Sequence, residues 1–274
     1  MKVLEDKQIP WRAFKDIMGY TKGVFTKAVR DRIITENPYD YLDIEIFKKF
    51  CYVPPVKTTK QRTLSENETY TLLEKVRNPK AHNANVMNSF AIEMAINTGM
   101  RVGELAGLMW EDVIEDEDLI IIRHSEKFNR TTKTSWISTT KTGKERLFPI
   151  TKEIKDLLQR IKQYEMDHGW VGDFVFQDEN GRLTKSKISD ATRNYTMSEE
   201  FSSVKSIHAI RRTLNSRMRC DGVSATVASS LIGNSERVND RNYTYDISEL
   251  NEKRLIVERA TPGQPTFESN NQPK

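Results

Sequence analysis

Cysteine is nearly absent. The 274 residues include two, Cys51 and Cys220, far apart and without CxxC spacing, which excludes a disulfide framework and offers no zinc-binding pattern. Both read as buried small hydrophobes. No stretch approaches the roughly 18 consecutive apolar residues of a membrane span, and the opening MKVLEDKQIPWR lacks the apolar run of a secretory signal. The expectation is a soluble intracellular protein. Net charge is also scarce: 43 Lys+Arg stand against 39 Asp+Glu, for a formal +4. What the chain does have is 37% apolar residues, enough Leu, Ile, Val and Phe for a core, so global disorder is excluded. The length allows one large domain or two modest ones, and no internal repeat is visible.

The charge is unevenly placed. Residues 1–60 carry 12 basic and 8 acidic side chains. A second basic run extends from Arg123 through Lys127, Arg130, Lys133, Lys141 and Lys144 to Arg146, while acids collect in EDVIEDED at 111–118. Such segregation can build a polyanion-binding face on a nearly neutral protein. On charge alone, a solvated hairpin with ordinary lysines is the plainer reading.

Apolar side chains at near-helical spacing over 10–35 predict one interrupted helix or two short ones, with a break at Gly19 and Gly23. After a short amphipathic piece, IEIFKKF, the Pro54–Pro55 pair and a Lys/Thr run predict a linker and a domain boundary near residue 58. Beyond it, Ser65–Glu66 starts a helix over ENETYTLLEKVRN. A second helix, NVMNSFAIEMAINTGM, stops at Gly99, and VGELAGLMWEDV forms a third. DLIIIRHSEK and TSWISTTKTGKERLFPI, rich in β-branched residues and turning at Thr142–Gly143, read as a small antiparallel sheet. Helices return at ITKEIKDLLQRIKQYEMDHG, at SKISDATRNYTM and through the C-terminal third. The polar, Pro-rich tail 261–274 is expected to be disordered. The fold class is therefore mainly α with a small antiparallel β-sheet, α+β.

Four segments carry polar residues a helical core does not need. In TGMRVGEL, Arg101 follows a helix-ending glycine at the mouth of the next helix, where free N–H groups and a guanidinium can face one anion. In SIHAIRR, His208 and Arg211 are three apart on one helix face, while Ile207, Ile210, Leu214 and Met218 pack the other. TKTGKER lifts Lys141 and Lys144 onto a turn. LIGNS, followed by NYTY, places Tyr243 and Tyr245 beyond a glycine stop. Each has a plainer reading: Arg101 paired with Glu104, His208 a satisfied histidine, Arg212 a solvated face. His82, His124 and His168 have no partners in motif spacing and receive no role.

Taken in order, the four boxes resemble the tyrosine recombinases, the phage and transposon integrases, over residues 60–260. TGMRVGEL resembles the box of the first catalytic Arg, TKTGKERLFPI the catalytic-Lys hairpin, HAIRRT the HxxR box, and LIGNS…NYTY the closing block with its nucleophile ten residues after the glycine. One position departs: Asn234 stands where the family usually has His or Trp. The residues before the linker resemble the end of the family's helical core-binding domain. The resemblance thus implies a partial core-binding domain with its linker at 1–58 and a catalytic domain at 59–260.

It further implies site-specific cutting and rejoining of DNA through a 3′-phosphotyrosine, for integration or excision of a mobile element, with neither metal nor other cofactor. The implied catalytic set is Arg101, Lys141, His208, Arg211, Asn234 and Tyr243, supported by Glu104, with Lys127, Lys144, Arg146 and Arg212 contacting DNA. The chemistry agrees. A phenol can attack phosphorus and conserve the bond energy; guanidiniums can hold two phosphate oxygens each. Lys141 suits the general acid at the departing 5′ oxygen, and His208 can accept the phenol proton or bind an oxygen. Asn234 can donate a hydrogen bond but cannot titrate. Tyr245 is the rival nucleophile and Lys144 the rival acid. The implied partners are double-stranded DNA and three further copies, a homotetramer on paired sites, with accessory DNA-bending proteins and no membrane, in the cytoplasm at the nucleoid. A catalytically silent DNA-binding relative and a type IB topoisomerase-like nicking-closing enzyme are the alternatives.

Overall fold

The computed structural model describes residues 2–129, 131–140, 143, 145–248 and 253–254; the tail 261–274 lies outside them. The chain divides into two compact units, residues 1–57 and 58–274. In the first, helix α1 (Lys2–Asp6) leads into α2 (Trp11–Arg30). Two 3-10 turns follow, Pro38–Tyr41 and Ile44–Phe50, begun by Asn37 and Asp43, whose side chains accept hydrogen bonds from the N–H of Tyr39 and Glu45. The predicted break at Gly19 and Gly23 does not occur, and α2 is continuous. Around both glycines nothing lies within 4 Å of where a Cβ would stand. Each therefore weakens the helix only by its intrinsic propensity, about 1 kcal/mol relative to alanine. Phe14 packs on Trp11 and on Phe47, with ring centroids 5.6 Å apart in both pairs.

In the second unit, Thr58 caps a single turn, α3 (Thr59–Arg62). Helix α4 (Glu66–Arg77) begins where expected, through a reciprocal cap: Ser65 Oγ accepts from Glu68 N at 3.1 Å and the Glu68 carboxylate accepts from Ser65 N at 2.8 Å. The next helix, α5 (Val86–Thr98), is apolar and buried on all sides, the mark of a central helix. Around it pack α4, α7 (Lys152–His168), α8 (Lys185–Thr196) and α9 (Ile207–Cys220). Its buried Glu93 is balanced by Arg77 and Arg160, each at 2.8 Å.

The third predicted helix is cut short. Only one turn forms, α6 (Val102–Leu105), followed by a 3-10 turn at Trp110–Asp112. Just past the end of α6, Gly107 packs closely on a strand, a contact that no local propensity reveals: a Cβ there would stand 3.0 Å from Ser125 N and 3.1 Å from the His124 carbonyl carbon. Both are backbone atoms of a strand, with little room to yield. Gly107→Ala is therefore expected to destabilise the protein by about 1–3 kcal/mol, seen as a lower urea midpoint at unchanged slope. An unchanged midpoint would mean that the strand moves aside freely.

The expected single sheet is two. Strands β1 (Val113–Ile114), β2 (Leu119–Ile122) and β5 (Arg146–Pro149) form one antiparallel sheet in the order β1-β2-β5, and β3 (His124–Asn129) pairs with β4 (Thr134–Thr139) in a separate hairpin. The split falls at Arg123. Its guanidinium donates to Asp112 at 2.7 Å and Glu111 at 2.9 Å, and its carbonyl accepts from Thr140 N at 3.0 Å. A two-residue hairpin, β6 (Gln177–Asp178) with β7 (Gly181–Arg182), precedes α8. After α9 come α10 (Ala225–Ile232) and α11 (Glu236–Asn242). Cys51 is buried as expected, but Cys220, at the end of α9, is exposed. Among the described residues no helix is long and apolar enough to cross a membrane.

Candidate functional site

Helix α5 ends on Gly99 and α10 on Gly233, both left-handed at φ 62° and 73°. The two glycine stops leave carbonyls without helical partners, and arginines fill the gap. Arg211, on α9, is fully buried; its Nη1 donates to Gly99 O at 2.6 Å and its Nη2 to Ile232 O. Arg101, the N-cap of α6, donates from Nη2 to Gly233 O at 2.7 Å and to Asn234 Oδ1 at 2.5 Å. A positive charge at a helix C-terminus is favourable, so the fold itself draws both guanidiniums together.

Between them lies Glu104, 1% exposed. It accepts from Arg101 N at 2.8 Å, from Arg101 Nη1 at 2.6 Å, and from Arg146 Nη1 and Nη2 at 3.0 and 2.7 Å. Burial alone would raise its pKa, but the hydrogen bond and charge of Arg146, with the charges of Arg101 and Arg211, bring it down to about 2. The plain Arg101–Glu104 ion pair is therefore present, as part of a larger network rather than in place of a site. Burial and then Arg101 also lower the Arg211 pKa, against the pull of Glu104.

Tyr243 follows α11 immediately. Its ring centroid is 5.3 Å from the Arg211 guanidinium and 5.9 Å from that of Arg212. Its carbonyl accepts from Asn215 Nδ2 and Ser216 Oγ, each at 3.1 Å. Tyr245 is held elsewhere: its hydroxyl accepts from Arg62 Nη1 at 3.1 Å. His208 and Arg211, three apart on α9, share a face but differ in depth. Arg211 runs inward, whereas His208 is exposed. Partial loss of water around the ring, then the charges of Arg212, Arg211 and Arg101, keep the His208 pKa below the ordinary histidine value. Asn234, besides accepting from Arg101, has a buried Nδ2 with no partner among the described residues, a donor available to a ligand.

The structure thus brings together Arg101, Glu104, Arg211, Arg212, Asn234 and Tyr243, with His208 within their field. Lys141 and Lys144 lie outside the described residues, on the connection between β4 and β5. Lys127 sits on β3 opposite Trp136. Arg146 needs correction as a DNA contact: its Nε donates to Leu231 O at 2.9 Å and both terminal nitrogens to Glu104, leaving that side chain 10% exposed. A Cβ on Gly233 would stand 2.8 Å from Arg146 Nη1, so the glycine stop also makes room for this arginine. Sequence reasoning missed Asn215 and Asn239. The signal was available for Asn215, which follows Arg211 by four on α9 at a position an ordinary core would fill with an apolar residue.

The one group of potential metal ligands found among the described residues, Glu111, Asp112 and His124, already has both carboxylates engaged by Arg123. A hollow of about 690 Å³ lies elsewhere, lined by His82, Asn85, Asn88, Asp178, Lys187 and Tyr195 among others. None of the clustered residues lines it.

Tyrosine recombinase XerH of Campylobacter jejuni is 24% identical over 262 residues, 89% of this chain and 69% of its own length. A XerC-like recombinase of Caldanaerobacter subterraneus is 25% identical over 82% of this chain and 59% of its own length. For XerC of Listeria innocua the figures are 29%, 37% and 31%, so the chain spans less than two thirds of the latter two. Among solved structures, the Tn1549 transposon integrase in complex with circular intermediate DNA shares the fold at TM-score 0.67 and 20% identity, covering 93% of this chain and 82% of that one. XerA recombinase gives 0.58 and 20%, covering 91% and 84%. Residues 62–246, which hold Arg101, Glu104, His208, Arg211, Asn234 and Tyr243, match the phage integrase family, and the chain belongs to that family.

Proposed function

We propose that this chain cuts and rejoins duplex DNA at specific sites through a 3′-phosphotyrosine on Tyr243, serving integration or excision of a mobile element. The observation that carries the proposal is the placement of the Tyr243 ring against Arg211 and Arg212, beside the Arg101–Asn234 pair. A scissile phosphate entering there would have guanidinium donors for its non-bridging oxygens, a free amide donor from Asn234 and a phenol as nucleophile. The Tyr243 oxygen forms a bond to phosphorus while the bond to the 5′ oxygen breaks. The phenol proton passes to His208, and the departing oxygen takes a proton from Lys141. A DNA 5′ hydroxyl then reverses the step, with no net loss of phosphodiester bonds.

The lambda integrase has been solved as a tetramer bound to a Holliday junction, with 17% identity and a TM-score of 0.56 to this chain. By analogy, the partners proposed here are double-stranded DNA and three further copies on paired sites. Residues 1–58 would act as part of the core-binding domain with its linker, and residues 59–260 as the catalytic domain.

Tyr243→Phe removes only the hydroxyl. Incubation with a nicked duplex whose cleaved end diffuses away should trap a covalent complex with the parent protein and none with this variant, while gel-shift affinity is unchanged. No covalent complex with the parent protein would favour a silent DNA-binding relative. The lowered His208 pKa gives a second expectation. The apparent second-order cleavage constant, which reports the free protein, should keep its neutral-pH value until the pH falls below about 6.5, the ordinary histidine pKa. His208→Gln should abolish that acid limb, and an unchanged limb would remove His208 from the proton path.

A further inference from the structure

The polypeptide around Tyr243 is gripped by side chains for which the chemistry above has no use. Asn215 on α9 and Asn239 on α11 are both 0% exposed. Each donates to the other: Asn215 Nδ2 to Asn239 Oδ1 at 2.9 Å, and Asn239 Nδ2 to Asn215 Oδ1 at 2.7 Å. The Asn215 amide also reaches Tyr243 O at 3.1 Å. Ser216 Oγ donates to the same carbonyl and accepts from Tyr245 N at 3.0 Å. From the other side, the Asn239 side chain accepts from Thr244 Oγ1 at 3.1 Å, while its main-chain carbonyl closes the end of α11 by accepting from Tyr243 N at 2.9 Å and Thr244 N at 3.1 Å.

Burying two amides is unfavourable unless every donor and acceptor finds a partner. Leucine pairs would fill such a site without that demand, so the polar pair needs a reason beyond packing. The contacts supply one. Asn215 lies one helical turn beyond Arg211, so the phosphate-binding guanidinium and the anchor for the Tyr243 peptide share one rigid element. The Tyr243 hydroxyl has no hydrogen bond among the described residues; its position rests on the ring contacts and on this backbone grip. We propose that Asn215, Ser216 and Asn239 are positioning residues, a latch that sets the Tyr243 oxygen against the phosphate held by Arg211. The inference rests on Tyr243 being the nucleophile.

The test uses Asn215→Leu/Asn239→Leu, which removes both partners at similar volume and leaves neither unpaired, together with Ser216→Ala as a milder change. Nucleophile placement is sensitive: an error near 1 Å is associated with about a 100-fold loss. Single-turnover cleavage of the nicked duplex at saturating protein should therefore fall by roughly 100-fold in the double variant and less in Ser216→Ala. DNA affinity should stay within about threefold, because a loss confined to the transition state leaves ground-state binding alone. Hydrogen exchange at the Tyr245 amide should accelerate in Ser216→Ala, which removes its acceptor Ser216 Oγ, while α5 exchanges as before. If the double variant does not fold, Ser216→Ala decides by the same two readouts. A folded variant that cleaves within about threefold of the parent overturns the latch. If the parent protein makes no covalent complex, the nucleophile reading fails, and unchanged exchange at the Tyr245 amide in Ser216→Ala would separately overturn the grip itself.

Discussion

Arg211→Ala should slow single-turnover cleavage by about two to three orders of magnitude, the loss of about 3–4 kcal/mol seen when one preorganised donor to a developing oxyanion is removed. The magnitude follows from where the residue sits. Arg211 is fully buried, so its charge acts where water cannot screen it. Its two terminal nitrogens are fixed by the carbonyls of Gly99 and Ile232, and no reorganisation is needed when a phosphate arrives. The same bonds join the ends of α5 and α10, so the variant should also unfold at lower urea. Arg211→Lys separates the two effects. A single ammonium retains the charge at the helix ends but cannot reproduce the planar fork, so the lysine variant should recover stability more than rate. Cleavage by Arg211→Ala within about threefold of the parent would take this residue out of phosphate binding.

Glu104→Gln should destabilise the folded protein by about 3–5 kcal/mol, because it leaves charges buried without their partner. Arg101, Arg146 and Arg211 all act on this one carboxylate. The same network sets an acid limit. Glu104 has a pKa of about 2 in the fold against 4.5 when unperturbed. A depressed carboxylate stabilises the fold fully above its unfolded pKa and loses that contribution as pH falls through the folded one. The window therefore runs from about pH 4.5 down to about pH 2, and the gap is worth about 3 kcal/mol. Urea midpoints measured at pH 6, 4 and 3 should fall more steeply for the parent than for Glu104→Gln. Parallel curves would mean that other carboxylates govern the acid response.

What could be read from the sequence was what short-range chemistry decides. The start of α4 at Ser65 and the end of α5 at Gly99 are written in one or two residues, through a hydroxyl that accepts an N–H and a glycine that adopts positive φ. The segments holding Arg101, His208, Arg211 and Tyr243 were legible because order and spacing survive in a linear pattern. What failed depended on partners distant in sequence. Gly19 and Gly23 do not break α2, since an amphipathic helix tolerates glycine where no competing structure gains. The chain leaves the helical path after Leu105 with Gly107 packed on a strand, and the strands divide at Arg123, whose side chain is held by two acids. Arg146 looked like one more surface charge in a basic run, and only the fold turns it inward to Glu104. The Asn215–Asn239 pair joins two helices 24 residues apart, a separation at which no local rule operates.

The most direct measurement is the identity of the amino acid joined to DNA. The covalent complex trapped on a nicked duplex is digested, and the peptide carrying the nucleotide is sequenced. The adduct should lie on Tyr243, attached through a 3′ phosphate, with a free 5′ hydroxyl on the other DNA fragment. An adduct on Tyr245, whose hydroxyl is held by Arg62, or a 5′-phosphate linkage on any residue, would contradict the proposed chemistry.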